Sequence, residues 1–171
     1  PGTVSVQVVT GCGSANEKRS DPQTVTARSA SPEFFYFVQA TSGQNPIAAV
    51  NASTGVFVGT PGLLAGGAFA PAKPGDVLTL YATGLGLTNP SFAAGQLPSA
   101  ASSIAGDIQV TIGTTTLAKT DVLYAGVTPS TAGLYQVNIH LPISIPNGDQ
   151  PVQMTINGTP SPSGGYITVK Q

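Results

Sequence analysis

The side chains able to do chemistry are few and far apart. His140 is the single histidine, so no histidine pair is available to a metal, and any nucleophile–base arrangement hinges on it. On a strand running from Leu134 to Leu141 it falls opposite Val137, Ile139 and Leu141, the place of a solvent-facing residue. The seven acids are Glu17, Asp21, Glu33, Asp76, Asp107, Asp121 and Asp149, each placed singly. Carboxylate-pair hydrolysis needs two of them at a fixed separation with pKa values driven apart. Several instead sit beside Gly or Pro, as turn formers do. The expectation is a protein that is not an enzyme.

Binding chemistry is equally sparse. Asn147-Gly148-Asp149 is too short and too poor in acids for a helix–loop–helix calcium loop. Asp76 and Asp107 are candidate ligands for a structural calcium shared with backbone carbonyls, set against plain turn capping; no other cofactor is expected. Gly84-Leu85-Gly86 is a glycine pair at a strand end with no helix after it, hence no phosphate loop. Cys12, the only cysteine, lies in a Gly-flanked loop and has no intrachain partner. The six Lys and Arg residues run from Lys18 to Lys170 with only Lys18-Arg19 adjacent, and the net charge is −1. No basic stripe exists for nucleic acid or an anionic membrane surface.

Charged residues make up 8% of the chain and hydrophobic ones 40%. No apolar run approaches the roughly 20 residues a transmembrane helix needs, so no membrane insertion is expected. Polarity is carried by Ser, Thr, Asn and Gln, the neutral surface of extracellular β-proteins. The chain opens at Pro1, which reads as a processed form, and localisation is expected to be extracellular or cell-surface after removal of a signal peptide.

The elements that position these residues read as strands. Thr3 to Thr10 alternates, with Val4, Val6 and Val8 on one face; Gln23 to Ser29 is a second strand carrying Val25; Gly11 to Pro22 between them is loop-like. Phe34, Phe35, Tyr36 and Phe37 form one aromatic run. Ile47 to Val50 and Val56 to Val58 flank a hairpin turn at Thr54-Gly55. Further strands are expected at Val77 to Thr83, Ile108 to Ile112, Leu117 to Tyr124, Leu134 to Leu141, Val152 to Ile156 and Tyr166 to Val169. An irregular crossing is expected over Asn89 to Ser103, with a single helical turn at Ala100 to Ala105. Turn-punctuated strands of this density fit a single all-β sandwich over residues 32–171, preceded by a two-strand extension over residues 1–31.

Three stretches carry a resemblance. Ala72 to Gly86 (AKPGDVLTLYATGLG) resembles the opening of an IPT/TIG-type immunoglobulin-like domain, with a Pro-Gly turn feeding a strand that ends at a Gly-x-Gly corner. Asp107 to Gly113 with Thr116 to Val127 is similar to the next hairpin of that fold. Gly133 to Pro142 (GLYQVNIHLP) is similar to its penultimate strand. In this order they resemble an uncharacterised C-terminal domain family of acidobacterial secreted proteins, distantly IPT/TIG-like. The resemblance implies an exported antiparallel immunoglobulin-like sandwich without catalytic residues. Gly133-x-Tyr135 at the start of a late strand is also like a tyrosine corner, in which the hydroxyl bonds back to the chain.

The first 31 residues carry the functional expectation. Two strands alone are marginal in water, so Val4, Val6 and Val8 need a sheet. Either they complete their own sandwich, or they add to a neighbouring copy, head to tail, as a filament subunit does. For the second case Val4, Val6, Val8, Val25, Phe34, Phe35 and Phe37 are the expected interface, and the partner is the chain itself. The alternatives are a monomeric adhesive or spacer module beside other immunoglobulin-like modules, and a carbohydrate-binding sandwich, which no Trp and five Tyr supply poorly.

Overall fold

A computed structural model describes residues 2–93 and 95–171. Strand makes up 44% of the chain. Among the described residues there is no α-helix, and one 3-10 turn covers Lys119–Asp121.

Four short strands open the chain: β1 (Gly2–Val6), β2 (Val9–Thr10), β3 (Lys18–Arg19) and β4 (Gln23–Ala27). β1 pairs antiparallel with β4, setting Val4 opposite Val25 and Thr3 opposite Thr26. β2 pairs with β3 nearer the turn, and among the described residues neither pair joins any other sheet. The expected strand from Thr3 to Thr10 is therefore interrupted. At Val8 the backbone N–H donates to Ser20 Oγ (3.1 Å) and the carbonyl accepts from Ser20 N–H (3.0 Å). A side chain thus takes one ladder position, and Val8 leaves the strand that carries Val4 and Val6.

The remaining strands are β5 (Glu33–Phe34), β6 (Asn45–Pro46), β7 (Ala49–Asn51), β8 (Phe57–Val58), β9 (Phe69–Ala70) and β10 (Val77–Thr83). They continue as β11 (Thr88–Asn89), β12 (Ser102–Ile104), β13 (Ile108–Ile112), β14 (Thr115–Thr116) and β15 (Val122–Val127). The last four are β16 (Tyr135–His140), β17 (Gly148–Ile156), β18 (Thr159–Pro160) and β19 (Gly165–Val169). One sheet runs β11-β12-β15-β16-β10-β7-β8-β9, with β5 added to the end of β10. The other runs β14-β13-β17-β19-β6, with β18 on β17. Pairing is antiparallel except between β8 and β9 and between β19 and β6.

The two sheets share one core. In β10 every second side chain points inward, leaving Leu78, Leu80 and Ala82 with no exposed surface, and Val137 and Ile139 of β16 lie beside them in register. From the other sheet come Val110 and Ile112 of β13, Met154 and Ile156 of β17, and Ile167 and Val169 of β19, all in the same cluster. Period-two alternation produces this burial because successive strand side chains leave on opposite faces.

Several expected boundaries move: β17 begins at Gly148 rather than Val152, and the strand expected over Ile47 to Val50 forms only from Ala49. The helical turn at Ala100 to Ala105 is instead strand β12, paired with β15 through Ser102 opposite Val127; Ser102 Oγ donates to the Pro90 carbonyl at 2.7 Å. The strand expected over Leu117 to Tyr124 starts later, at Val122. Leu117 is drawn into the core before the 3-10 turn reverses the chain. The hairpin at Thr54-Gly55 forms as expected: Asn51 Oδ1 accepts from the N–H groups of Ser53 and Thr54, and Gly55 sits at φ +72°.

Candidate functional site

The N-terminal hairpin gathers several exposed apolar side chains on one strand-paired face, whereas Leu87, Leu97, Leu123 and Ile143 of the body are exposed at separate places in the sequence. Gly2, Val4 and Val6 of β1 share one face with Gln23, Val25 and Ala27 of β4, because directly paired residues project to the same side. Val4 is 43% exposed, Val6 48% and Val25 44%. The opposite face carries Thr3, Ser5, Thr24 and Thr26, also exposed.

The hairpin tip is held by polar contacts. Glu17 accepts from Gly13 N–H (3.0 Å) and from Arg19 Nε (2.8 Å), and these two contacts hold its carboxyl below the usual range. Cys12 is exposed beside this turn, its thiol 3.6 Å from the Val9 carbonyl.

At its root the hairpin meets the body through a backbone hydrogen bond, close backbone approach and one buried side chain. Ser31 N–H donates to the Gly84 carbonyl at 2.8 Å. Gly84 has φ +72°, and a Cβ there would stand 2.0 Å from the Ser31 carbonyl oxygen; one at Gly86 would stand 2.6 Å from that of Ser29. The glycine pair excluded above as a phosphate loop thus serves close approach of two backbones. Ala30 is buried beside it. The Tyr135 hydroxyl donates to the Gly86 carbonyl, tying β16 to the same corner. It reaches back 49 residues, whereas a tyrosine corner bonds locally. The local bond belongs to Tyr124, whose hydroxyl lies 3.0 Å from the Val127 carbonyl and 3.1 Å from that of Ser102.

The aromatic run divides three ways. Phe34 is buried in the core of its own chain, opposite Ala82, so it presents no surface to a partner. Phe35 is 43% exposed. Phe37 packs edge-on against Phe57 and Phe69, with centroids 5.3 and 5.0 Å away. Phe57 and Phe69 had no sequence signal linking them to Phe37, since the contact joins distant loops and short strands.

The titratable groups do not assemble. His140 Nδ1 lies 3.7 Å from Asp121 Oδ1 on an exposed face. Asp76 Oδ2 accepts from Lys73 N–H at 2.7 Å, capping its turn, and Asp107 pairs with Lys119 at 2.8 Å. Asp149 accepts from the Thr168 hydroxyl at 2.7 Å. Among the described residues no three of His, Cys, Asp and Glu converge on one point. An open cleft of about 430 Å³ lies beside β5, where the Tyr36 hydroxyl donates to Glu33 at 2.8 Å. Burial and that carboxylate push the Tyr36 phenol well above its ordinary pKa.

Fold and site together define an all-β protein of two principal sheets carrying an uncovered β-hairpin. No family model, curated protein or solved structure matches the chain.

Proposed function

We propose that the chain is a non-enzymatic extracellular structural protein, a filament or pilus-like subunit whose copies join by β-strand addition through the β1–β4 hairpin. The observation that carries this reading is the hairpin itself: two uncharged five-residue strands with open outer edges and a half-exposed valine face. Backbone groups along an unpaired edge attract a further strand. Ordering costs of about 1–2 kcal/mol per residue weigh against recruiting a disordered segment, but this hairpin is already paired within its own chain. A contact that repeats without closing builds a fibre.

The immunoglobulin-like order of strands and the extracellular setting belong to the same proposal. They rest on the three motifs between Ala72 and Pro142 and on the low charge of the surface. Low charge also spares stacked copies mutual repulsion. The test is sedimentation velocity and negative-stain microscopy on the purified full chain. Concentration-dependent association with fibres is the expected result. A chain that stays monomeric at every concentration removes the reading and leaves a spacer or adhesive module.

A further inference from the structure

The two sheets of the body end in very short pieces. β9, β11, β14 and β6 are the terminal strands, and each is two residues long. A two-residue edge gives an incoming strand one or two ladder bonds at about 0.5–1.5 kcal/mol each. The hairpin edges are five residues long. Neither β1 nor β4 contains a charge or a proline, the residues with which natural edges turn an added strand away.

The charges lie immediately outside β4, in opposite sign at its two ends: Asp21 before it and Arg28 after it. Both are exposed, and among the described residues neither takes part in an ion pair. Resting on the reading that copies join through this arm, we infer that the acceptor of the added strand is the β4 edge of a second copy's hairpin. The two copies are related by a local twofold at Val25. Antiparallel pairing about that residue sets Gln23 against Ala27 and Thr24 against Thr26. One step further out, Pro22 meets Arg28 of the second copy. Asp21 lies one residue beyond, in the coil before β4 where strand alternation no longer fixes its face, so the long arginine side chain can reach it, and the symmetry repeats the contact. Val4 and Val25 of both copies then share one face of a four-stranded sheet. A slip of one residue would send half of them to the other face. The free β1 edges, which carry no charge, extend the same sheet by an equivalent twofold at Val4. Successive bodies then leave from opposite ends of the strands.

The test uses the full chain carrying Cys12→Ser, read by sedimentation velocity. Arg28→Glu, which sets two acids together at both symmetric contacts, is expected to weaken association about tenfold. The exchange Asp21→Arg with Arg28→Glu is expected to restore it to within about threefold. A nitroxide attached at Thr24→Cys is expected to show strong dipolar broadening in the assembled state, because Thr24 of the two copies are diagonal neighbours about 7–8 Å apart. Association that ignores the charge reversal, or a Thr24 label broadened only by one at Thr115→Cys on the body edge, overturns the arm-to-arm contact and keeps strand addition. Absence of any association overturns both.

Discussion

β1 and β10 carry the same instruction and meet opposite fates. Both place apolar residues at every second position, GTVSV in one and VLTLYAT in the other. In β10 the inward residues Leu78 and Leu80 retain no exposed surface, whereas Val4 and Val6 of β1 keep 43% and 48%. β10 is central, flanked by β16, β7 and β5, with a second sheet over its inner face. Among the described residues β1 pairs with β4 alone, and its valines stay about half exposed. Alternation defines which face is apolar; it does not supply the layer that covers it.

The contrast can be broken at its strong end first. Leu80→Ala is expected to cost about 2–5 kcal/mol of stability in chemical denaturation, through lost burial and the cavity left behind. Val4→Ala is expected to cost less than about 1 kcal/mol, since its side chain is already half in water. Equal costs at the two positions would mean that the hairpin is as integral to the folded body as β10.

The corner joining the two regions comes next. Gly84→Ala is expected to cost about 1–3 kcal/mol and to loosen the hairpin root, because the new methyl meets the Ser31 carbonyl and φ +72° is unfavourable to alanine. Amide exchange at Ser31 reads the loosening directly, and unchanged protection would show that the root is held elsewhere. Tyr135→Phe, which removes the donor to the Gly86 carbonyl, is expected to cost about 0.5–1.5 kcal/mol by thermal or denaturant unfolding.

A smaller effect separates the regions by pH. Burial raises the phenol pKa of Tyr36, Tyr124, Tyr135 and Tyr166, all of them in the body. A folded pKa above the unfolded value of about 10 means that the unfolded chain releases protons first. The stability these groups contribute is therefore complete below about pH 10 and is lost as pH rises through the folded values. Denaturant midpoints followed from pH 8 to 12 are expected to fall only above about pH 10. The hairpin has no tyrosine, so its association is expected to lack this transition.

The residues that form the strands were legible because alternation and turn chemistry are local. Val77 to Thr83 and Ile108 to Ile112 occur as strands at the expected limits, and Asn51 and Gly55 close their hairpin as their types demand. The misplaced segments have non-local causes. Ser102 joins a strand because Pro90 and Val127 stand beside it, and Leu117 leaves its strand because the core takes it. Phe34 and Phe35 are neighbours of the same type, one in the core and one at the surface. The division follows from β5 lying along β10, a pairing between residues nearly fifty positions apart.

The sequence alone determined an all-β chain of low charge with its titratable groups dispersed, since composition and spacing are properties of the chain before it folds. Tertiary structure alone decided that the first hairpin stands outside both sheets, and that Gly84 and Gly86 serve the approach of its root. It also decided that each hairpin strand keeps a five-residue outer edge, whereas each sheet of the body ends in two-residue strands. Those outcomes depend on which strands find neighbours, and hydrogen-bond partners across a sheet are chosen by distance in space.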